Sequence, residues 1–319
     1  MVEGGAKIIC VDIEGLGEIC KRVSDEFKKK NPFGLDGIKN YLPEFNLPLE
    51  LDFDPPRIEV PDPLTASKYL FLLASMERKS QSRINIRNGL FTWAQPSKRW
   101  VFDPVQVIVH PESEIESICR RDLQHGLDNF HKRYKKNCAT LVKDYGGYPR
   151  ILINNQTVDQ ARANLMELDG IGTGIANLYI HYLLDRKIAS PTNPEDALLK
   201  VDIHKGALPF NIVCADINEN TIRGDIVTEV FEPLYRQVIK RQGLDPSLLD
   251  SGLWFIGSEE CNKEDYNVCL AKCPLVDMCR SRVPQDYYTK HFTVYDLDSD
   301  GNRVRIDRRK HRAQTRLIL

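Results

Sequence analysis

A short glycine turn between two helical patterns constrains the fold of this chain more than any other feature. The turn is Gly170-Ile171-Gly172, and the residues on both sides of it repeat with the period of an α-helix. The apolar positions of that repeat are Ala161, Leu165 and Leu168 before the turn and Ile175, Ala176, Tyr179, Ile180 and Leu183 after it. Two helices joined by so few residues predict a helix-hairpin-helix. Glycine suits such a hairpin because it adopts positive φ and lets another backbone approach closely.

The hairpin predicts a site for an anion. Backbone N–H groups exposed at such a turn, and at the N-terminus of the helix that follows, favour a phosphate group. The predicted contacts with a nucleic-acid backbone are at Gly170, Ile171, Gly172, Thr173 and Gly174. The same glycine pair is also compatible with a simple tight turn, and the motif alone leaves both interpretations open.

Composition limits the class of protein. The 319 residues suffice for two domains with a buried core, and 42% hydrophobic with 28% charged residues is typical of globular proteins. A net charge of -1 means that any basic surface for nucleic acid must be local. No apolar run approaches the roughly 18 residues of a membrane span, and the N-terminus has no signal-peptide pattern. We expect no membrane partner and a reducing, intracellular location, in the cytoplasm or nucleoid of a bacterium or the nucleus of a eukaryote.

Four of the nine cysteines form a compact cluster. Cys261, Cys269, Cys273 and Cys279 lie within nineteen residues, while Cys10, Cys20, Cys119, Cys138 and Cys214 are scattered. This distribution indicates reduced thiols and one metal site rather than a disulfide framework. Clustered thiolates bind either zinc or an iron–sulfur cluster. Paired zinc knuckles are usually farther apart, so the spacing favours a four-iron, four-sulfur cluster over zinc.

The rest of the chain is mainly helical in pattern. We predict helices over 14–30, 64–76, 84–91, 128–145, 223–241 and 246–258. The proline-rich segment 31–63 predicts an extended arm, 93–109 is ambiguous with some strand character, and the basic tail from Gly301 predicts a mobile anchor for a polyanion. One face of the 128–145 helix is either a solvated face or a path for phosphates, and it carries His131, Lys132, Arg133, Lys135 and Lys136.

The order of the motifs resembles a known family. The hairpin, then Val201-Asp202-Ile203-His204, then the four-cysteine loop follow one another as in the endonuclease III branch of the helix-hairpin-helix DNA glycosylase superfamily (HhH-GPD). The resemblance covers about residues 64–280 without the insert 190–199, and includes KKNCATLVKDYGGYP and LWFIGSEEC. It implies an all-α fold with a six-helix barrel and an iron–sulfur-cluster helical domain formed by both chain ends. The implied parts are an N-terminal helix and arm packed on the cluster domain (1–63), the barrel (64–199), the cluster domain (200–290) and a basic tail (291–319).

The resemblance places the family's catalytic aspartate at Asp202. A carboxylate there would stabilise the positive charge that develops on the sugar as the base departs, or would orient the attacking water. Asp202 could instead cap the helix that follows, and the two roles are compatible. Family members that also cut the strand use a lysine where this chain has Gly174, so the resemblance implies a monofunctional glycosylase. A displaced lysine, Lys200 or Lys205, is the alternative route to a Schiff base.

Other positions bear on the substrate. Gly174 removes volume from the mouth of the implied base pocket, which would admit a bulky base. Leu73 stands where adenine-specific relatives have a glutamate, which argues against adenine removal by their mechanism. Glu77 matches the residue that enters the duplex during base flipping, with Arg78 or Gln81 as alternatives, or all three form a solvated helix end.

The sequence thus predicts a monomeric base-excision enzyme acting on double-stranded DNA with a damaged or mispaired base. Three alternatives stay open: a bifunctional glycosylase and lyase, a DNA-damage-binding protein without catalysis, and a zinc-bound helical interaction module.

Overall fold

The structure, a computed structural model, describes most of the central part of the chain and selected segments of its ends. The described residues are 8–30, 62–77, 82–125, 129–197, 199, 215–217, 224–257, 271, 273–278, 294–297 and 303–306. The chain divides into two compact units, one of Lys30–Lys200 and one that combines Met1–Lys29 with Val201–Leu319. None of the helices in the described segments has the length and hydrophobicity that crossing a bilayer requires.

The described part of the central unit is helical throughout. Its helices are α2 (Pro63–Met76), α3 (Ser82–Ala94), α4 (Pro104–Val109), α5 (Glu112–Arg121), α6 (Phe130–Tyr145), α7 (Val158–Met166) and α8 (Thr173–Asp185). Short 3-10 helices occupy Pro96–Phe102, Pro149–Leu152 and Pro194–Asp196. The helices predicted over 64–76, 84–91 and 128–145 are therefore confirmed, with small shifts of their ends.

The strand character assigned to 93–109 is wrong. This segment forms a 3-10 helix and then α4, each with a proline in its first turn. Proline favours the first helical turn because its fixed φ suits a helix and its missing N–H is not needed there. Asp103 caps α4, since its side chain accepts a hydrogen bond from the Val105 N–H at 3.1 Å. The two prolines in first-turn positions thus favour helices more strongly than the valines favour a strand.

Helix α2 passes through the core of the central unit, as its continuous apolar sequence predicts. Asp62 caps its N-terminus by accepting hydrogen bonds from the N–H groups of Leu64 and Thr65 at 2.8 and 2.9 Å. Its side chains are buried on several faces, and Tyr69 stacks on Phe102 with ring centroids 5.0 Å apart. On the opposite side, Phe71 contacts the ring of Tyr179 edge-on. Helix α2 therefore packs against both the 3-10 helix Pro96–Phe102 and α8, the helix that follows the hairpin.

The terminal unit packs the N-terminal helix α1 (Ile13–Lys30) against segments from the other end of the chain. These are α9 (Gly224–Gln242), α10 (Pro246–Phe255) and the turn 274–278. A Cβ atom at Gly252 in α10 would lie 2.9 Å from Val23, so glycine permits the close approach of α1 and α10. Arg22 adds an ion pair, since its Nη1 donates to both carboxylate oxygens of Asp277 at 2.9 Å.

Two small sheets depart from the all-α expectation, although the described chain is predominantly helical. Strand β1 (Ile8–Val11) pairs antiparallel with β2 (Ala215–Ile217), and β3 (Val294–Leu297) pairs antiparallel with β4 (Arg303–Ile306). Strand β4 lies in the tail that we predicted to be mobile. Its alternation of arginine with Val304 and Ile306 is the period-two pattern of a strand.

Candidate nucleic-acid interface

The predicted helix-hairpin-helix is present. Helix α7 ends at Met166, and α8 begins at Thr173 with Gly172 as its N-cap. Ile171, at the centre of the turn, is only 7% exposed and belongs to the core of the central unit. The side chain of Ile171 therefore fixes the turn to the core, while the flanking glycines stay at the surface.

The two hairpin glycines serve different needs. Gly170 has φ +79°, a left-handed conformation that favours glycine, and a Cβ atom there would lie 3.4 Å from Nε of Arg133. Gly172 has φ −96°, which any residue adopts, and a Cβ atom there would meet none of the described residues within 4 Å. The fold requires glycine at 170 but not at 172. The open space at Gly172 thus leaves room for a group from outside the chain.

The N-terminus of α8 carries backbone N–H groups that have no acceptor in the described part of the chain. The N–H groups of Ile175 and Ala176 both donate to the carbonyl of Gly172 at 3.0 Å. The preceding N–H groups, those of Gly172, Thr173 and Gly174, have no acceptor among the residues that the structure describes. These donors stand at the positive end of a 13-residue helix. Such an arrangement suits a phosphate or a carboxylate.

The side chain of Asn137 binds the backbone of the hairpin, a contact that was not predicted from the sequence. Its side chain on α6 is buried, donating through Nδ2 to the carbonyl of Asp169 at 2.9 Å and accepting the Asp169 N–H at 2.8 Å. Both backbone groups of one hairpin residue are thus bound by a single amide. A signal was available, because Asn137 lies between Tyr134 and Leu141 on the apolar stripe of its helix. A polar residue on a buried stripe needs a partner.

The carboxylate of Asp169, in the hairpin, has an ionic partner on α6. Lys136 lies 3.2 Å from the carboxylate of Asp169, and both side chains are exposed. An exposed pair of this kind contributes about 0–1 kcal/mol to stability. Its main effect is local neutralisation of a carboxylate beside the proposed anion site.

The basic face of α6 is not a continuous path for phosphates. His131 is buried, which contradicts its assignment to a solvated face, and its Nε2 lies 3.6 Å from a carboxylate oxygen of Glu112. Lys132 lies 3.7 Å from the same carboxylate oxygen. Lys135 donates to the carbonyl of His110 at 2.7 Å. Of the five basic residues, Arg133 is the one with no hydrogen-bond or ionic partner for its side chain among the described residues.

Two neutral groups surround Arg133. Burial lowers the pKa of His125 to about 4, with a smaller contribution from the positive charge of Arg133, so this imidazole is neutral at physiological pH. The ring of His125 contacts Phe130 edge-on with centroids 4.2 Å apart. Burial also raises the pKa of Tyr134 well above its usual value, which keeps the phenol protonated. Neither of these two side chains adds a charge next to Arg133.

The residues assigned to base flipping are described only in part. Glu77 ends α2, and its carboxylate accepts a hydrogen bond from Nδ2 of Asn85 at 2.9 Å. The same nitrogen lies 3.3 Å from the carbonyl of Met76. Glu77 therefore links α2 to α3, and entry into a duplex would require this bond to break. Arg78 and Gln81 lie outside the described residues.

Several predicted site residues fall outside the described segments. They are Asp202, the alternative lysines Lys200 and Lys205, and the cysteines Cys261, Cys269 and Cys279. Cys273 is described and half-buried, directly before the turn 274–278. Within the described ranges no group of histidine, cysteine and carboxylate side chains is arranged to hold a metal ion.

No protein family matches the chain, and no curated protein matches it.

Proposed function

We propose that this protein is a DNA glycosylase, which hydrolyses the bond between a flipped base and its deoxyribose in double-stranded DNA. The observation that carries the proposal is the hairpin, where the backbone N–H groups of Gly172, Thr173 and Gly174 have no acceptor in the described chain. The order of hairpin, Asp202 segment and four-cysteine loop supports the choice of reaction. The protein acts as a monomer on DNA with a damaged or mispaired base.

The hairpin binds a phosphate of the DNA backbone in this proposal. Hydrogen bonds from N–H groups to an anionic oxygen are shorter and stronger than those to a neutral one. The absence of a side chain at Gly172 lets the phosphate approach the N–H groups of Thr173 and Gly174. Asn137 holds the hairpin in this shape before DNA arrives, so little ordering accompanies binding.

Base release then proceeds at a nucleotide turned out of the stack. The bond between C1′ and the base nitrogen breaks, and its electron pair leaves with the base. Asp202 stabilises the positive charge that develops on the sugar ring, and a water adds to C1′ as it gives up a proton. The products are a free base and an intact strand with an abasic site.

Strand cleavage is not part of the proposed reaction. Position 174, in the first turn of α8, carries no side chain that could form a Schiff base with the sugar. A lyase step would need Lys200 or Lys205 to reach C1′ instead. A protein that binds damaged DNA without catalysis would use the same hairpin, and it would have no need of the Asp202 carboxylate.

A panel of lesions tests the proposal. Duplexes with single deaminated, oxidised, alkylated or mispaired bases are incubated with the protein, and base release and strand breaks are measured with and without alkali. We expect release of at least one base, with strand breaks only after alkali. Strand breaks without alkali, with an adduct trapped by borohydride, would show a lyase. Duplex binding without release of any base would favour the non-catalytic alternative.

We also propose a four-iron, four-sulfur cluster held by Cys261, Cys269, Cys273 and Cys279, with zinc as the alternative. Four thiols suit either metal centre chemically. When bound, the cluster would cross-link the C-terminal segment. This role would be structural, since hydrolysis of the bond to the base needs no electron transfer. The purified protein should be brown and contain about four iron and four sulfide ions per chain.

A pair of cysteine variants locates the metal. Cys273→Ser should lower the iron content and the visible absorbance by at least about half. Cys119→Ala, at a buried cysteine of the other unit, should leave both unchanged. A colourless protein with one equivalent of zinc would replace the iron–sulfur assignment with the zinc alternative.

A further inference from the structure

A small pocket opens beside the hairpin, between α2, α6 and the turn. Its lining includes Ser75 of α2, Arg133, Tyr134 and Asn137 of α6, and Gly170 of the hairpin. The pocket has room for little more than one water molecule, so a nucleobase does not fit. One oxygen atom of a larger group fits, with the rest of that group outside the pocket.

Among the described residues that line this pocket, Arg133 is the cation and Asp169 is the carboxylate. The Nε and Cδ atoms of Arg133 lie 3.4 and 3.5 Å from the point where a Cβ atom of Gly170 would stand, so the side chain lies against the turn. The other α6 side chains in the lining are neutral, and the carboxylate of Asp169 already has Lys136 at 3.2 Å. Arg133 has no acidic partner among the residues described. A guanidinium that lies against the hairpin turn suits an anionic oxygen.

We propose that Arg133 binds a phosphate oxygen of the DNA strand held at the hairpin, adding a side-chain contact to the backbone N–H contacts of α8. The inference depends on the proposed function, because it names one residue and one chemical group within the same DNA contact. The size of the pocket favours a phosphate oxygen over a base. The sequence placed Arg133 among five similar basic residues, and the structure separates it from the other four by its partners.

Salt dependence of duplex binding tests the inference. Each phosphate neutralised by a protein cation contributes about 0.9 to the slope of log K against log salt. We therefore expect Arg133→Gln to weaken binding of an undamaged duplex about tenfold at low salt and to reduce the slope by about one. Arg133→Lys should restore the slope but only part of the affinity, because lysine lacks the fork of donors. Fluorescence anisotropy at several salt concentrations measures both quantities.

Lys143→Gln is the matched control. It removes one positive charge from an exposed position near the other end of α6, where Nζ of Lys143 lies 3.8 Å from a carboxylate oxygen of Asp144. The slope of this variant should equal that of the wild type, and thermal melting should show that each variant is folded. An unchanged slope for a folded Arg133→Gln variant would overturn the inference.

The result separates this inference from the proposed function. A reduced slope in Arg133→Gln, without base release by the wild type, would support the phosphate contact and reject the glycosylase. Base release with an unchanged slope would support the glycosylase and reject the role of Arg133. A wild-type protein that binds no duplex at low salt would reject both.

Discussion

Replacement of Asp202 by asparagine is expected to slow base release at least about a hundredfold while duplex affinity changes less than about threefold. The carboxylate acts on charge that exists only as the bond to the base breaks, so its loss affects the rate more than binding. Asparagine has nearly the same shape but no charge. Single-turnover release of the base from the productive duplex, with the enzyme in excess, measures the chemical step.

The same variant distinguishes the catalytic role of Asp202 from a purely structural one. Asparagine caps helix N-termini about as well as aspartate, so a residue that served only as a cap would tolerate the change. Asp202→Ala should lose both functions, with slower release and about 1 kcal/mol lower stability. An unchanged rate in Asp202→Asn would assign catalysis to another residue.

The local parts of the fold could be predicted from the sequence because their signals lie within a few residues of each other. The apolar period gives α1, α6 and the two helices of the hairpin, a continuous apolar sequence gives α2, and Gly170 marks the position of positive φ. The strand pair β1 and β2 could not be predicted, since about 200 residues separate its partners and each strand is at most four residues long. Short strands carry too few alternations to establish a period.

The backbone of the site could be predicted from the sequence, whereas the side-chain contacts that hold it in place could not. Asn137 and Asp169 are 32 residues apart in the chain, and no local pattern says which loop a buried asparagine will bind. The partners of the α6 cations are likewise set by tertiary contacts. Sequence reasoning therefore treated five basic residues as equivalent, whereas the structure distinguishes the buried His131 and the partnered lysines from Arg133.

Replacement of Gly172 by aspartate is expected to stabilise the protein slightly and to weaken duplex binding at least about tenfold. Gly172 is the N-cap of α8, with φ −96° and ψ 176°, the extended geometry that aspartate and asparagine adopt as caps. Its Cβ atom would have free space. The new carboxylate would accept hydrogen bonds from the first turn of α8, including the Gly174 N–H that we assign to phosphate, and would repel the DNA backbone.

Two further variants distinguish the repulsion of DNA by the new carboxylate from competition for the N–H donors and from strain in the hairpin backbone. Gly172→Asn should cap α8 equally well and weaken binding less than Gly172→Asp, because it competes for the donors without repulsion. Gly170→Ala should instead lower the free energy of unfolding by about 1 kcal/mol, since φ +79° is unfavourable for alanine. Thermal melting and anisotropy give the two readouts independently. If all three variants bound duplex as the wild type does, the hairpin would be a simple tight turn, and the glycosylase proposal would lose the observation that carries it.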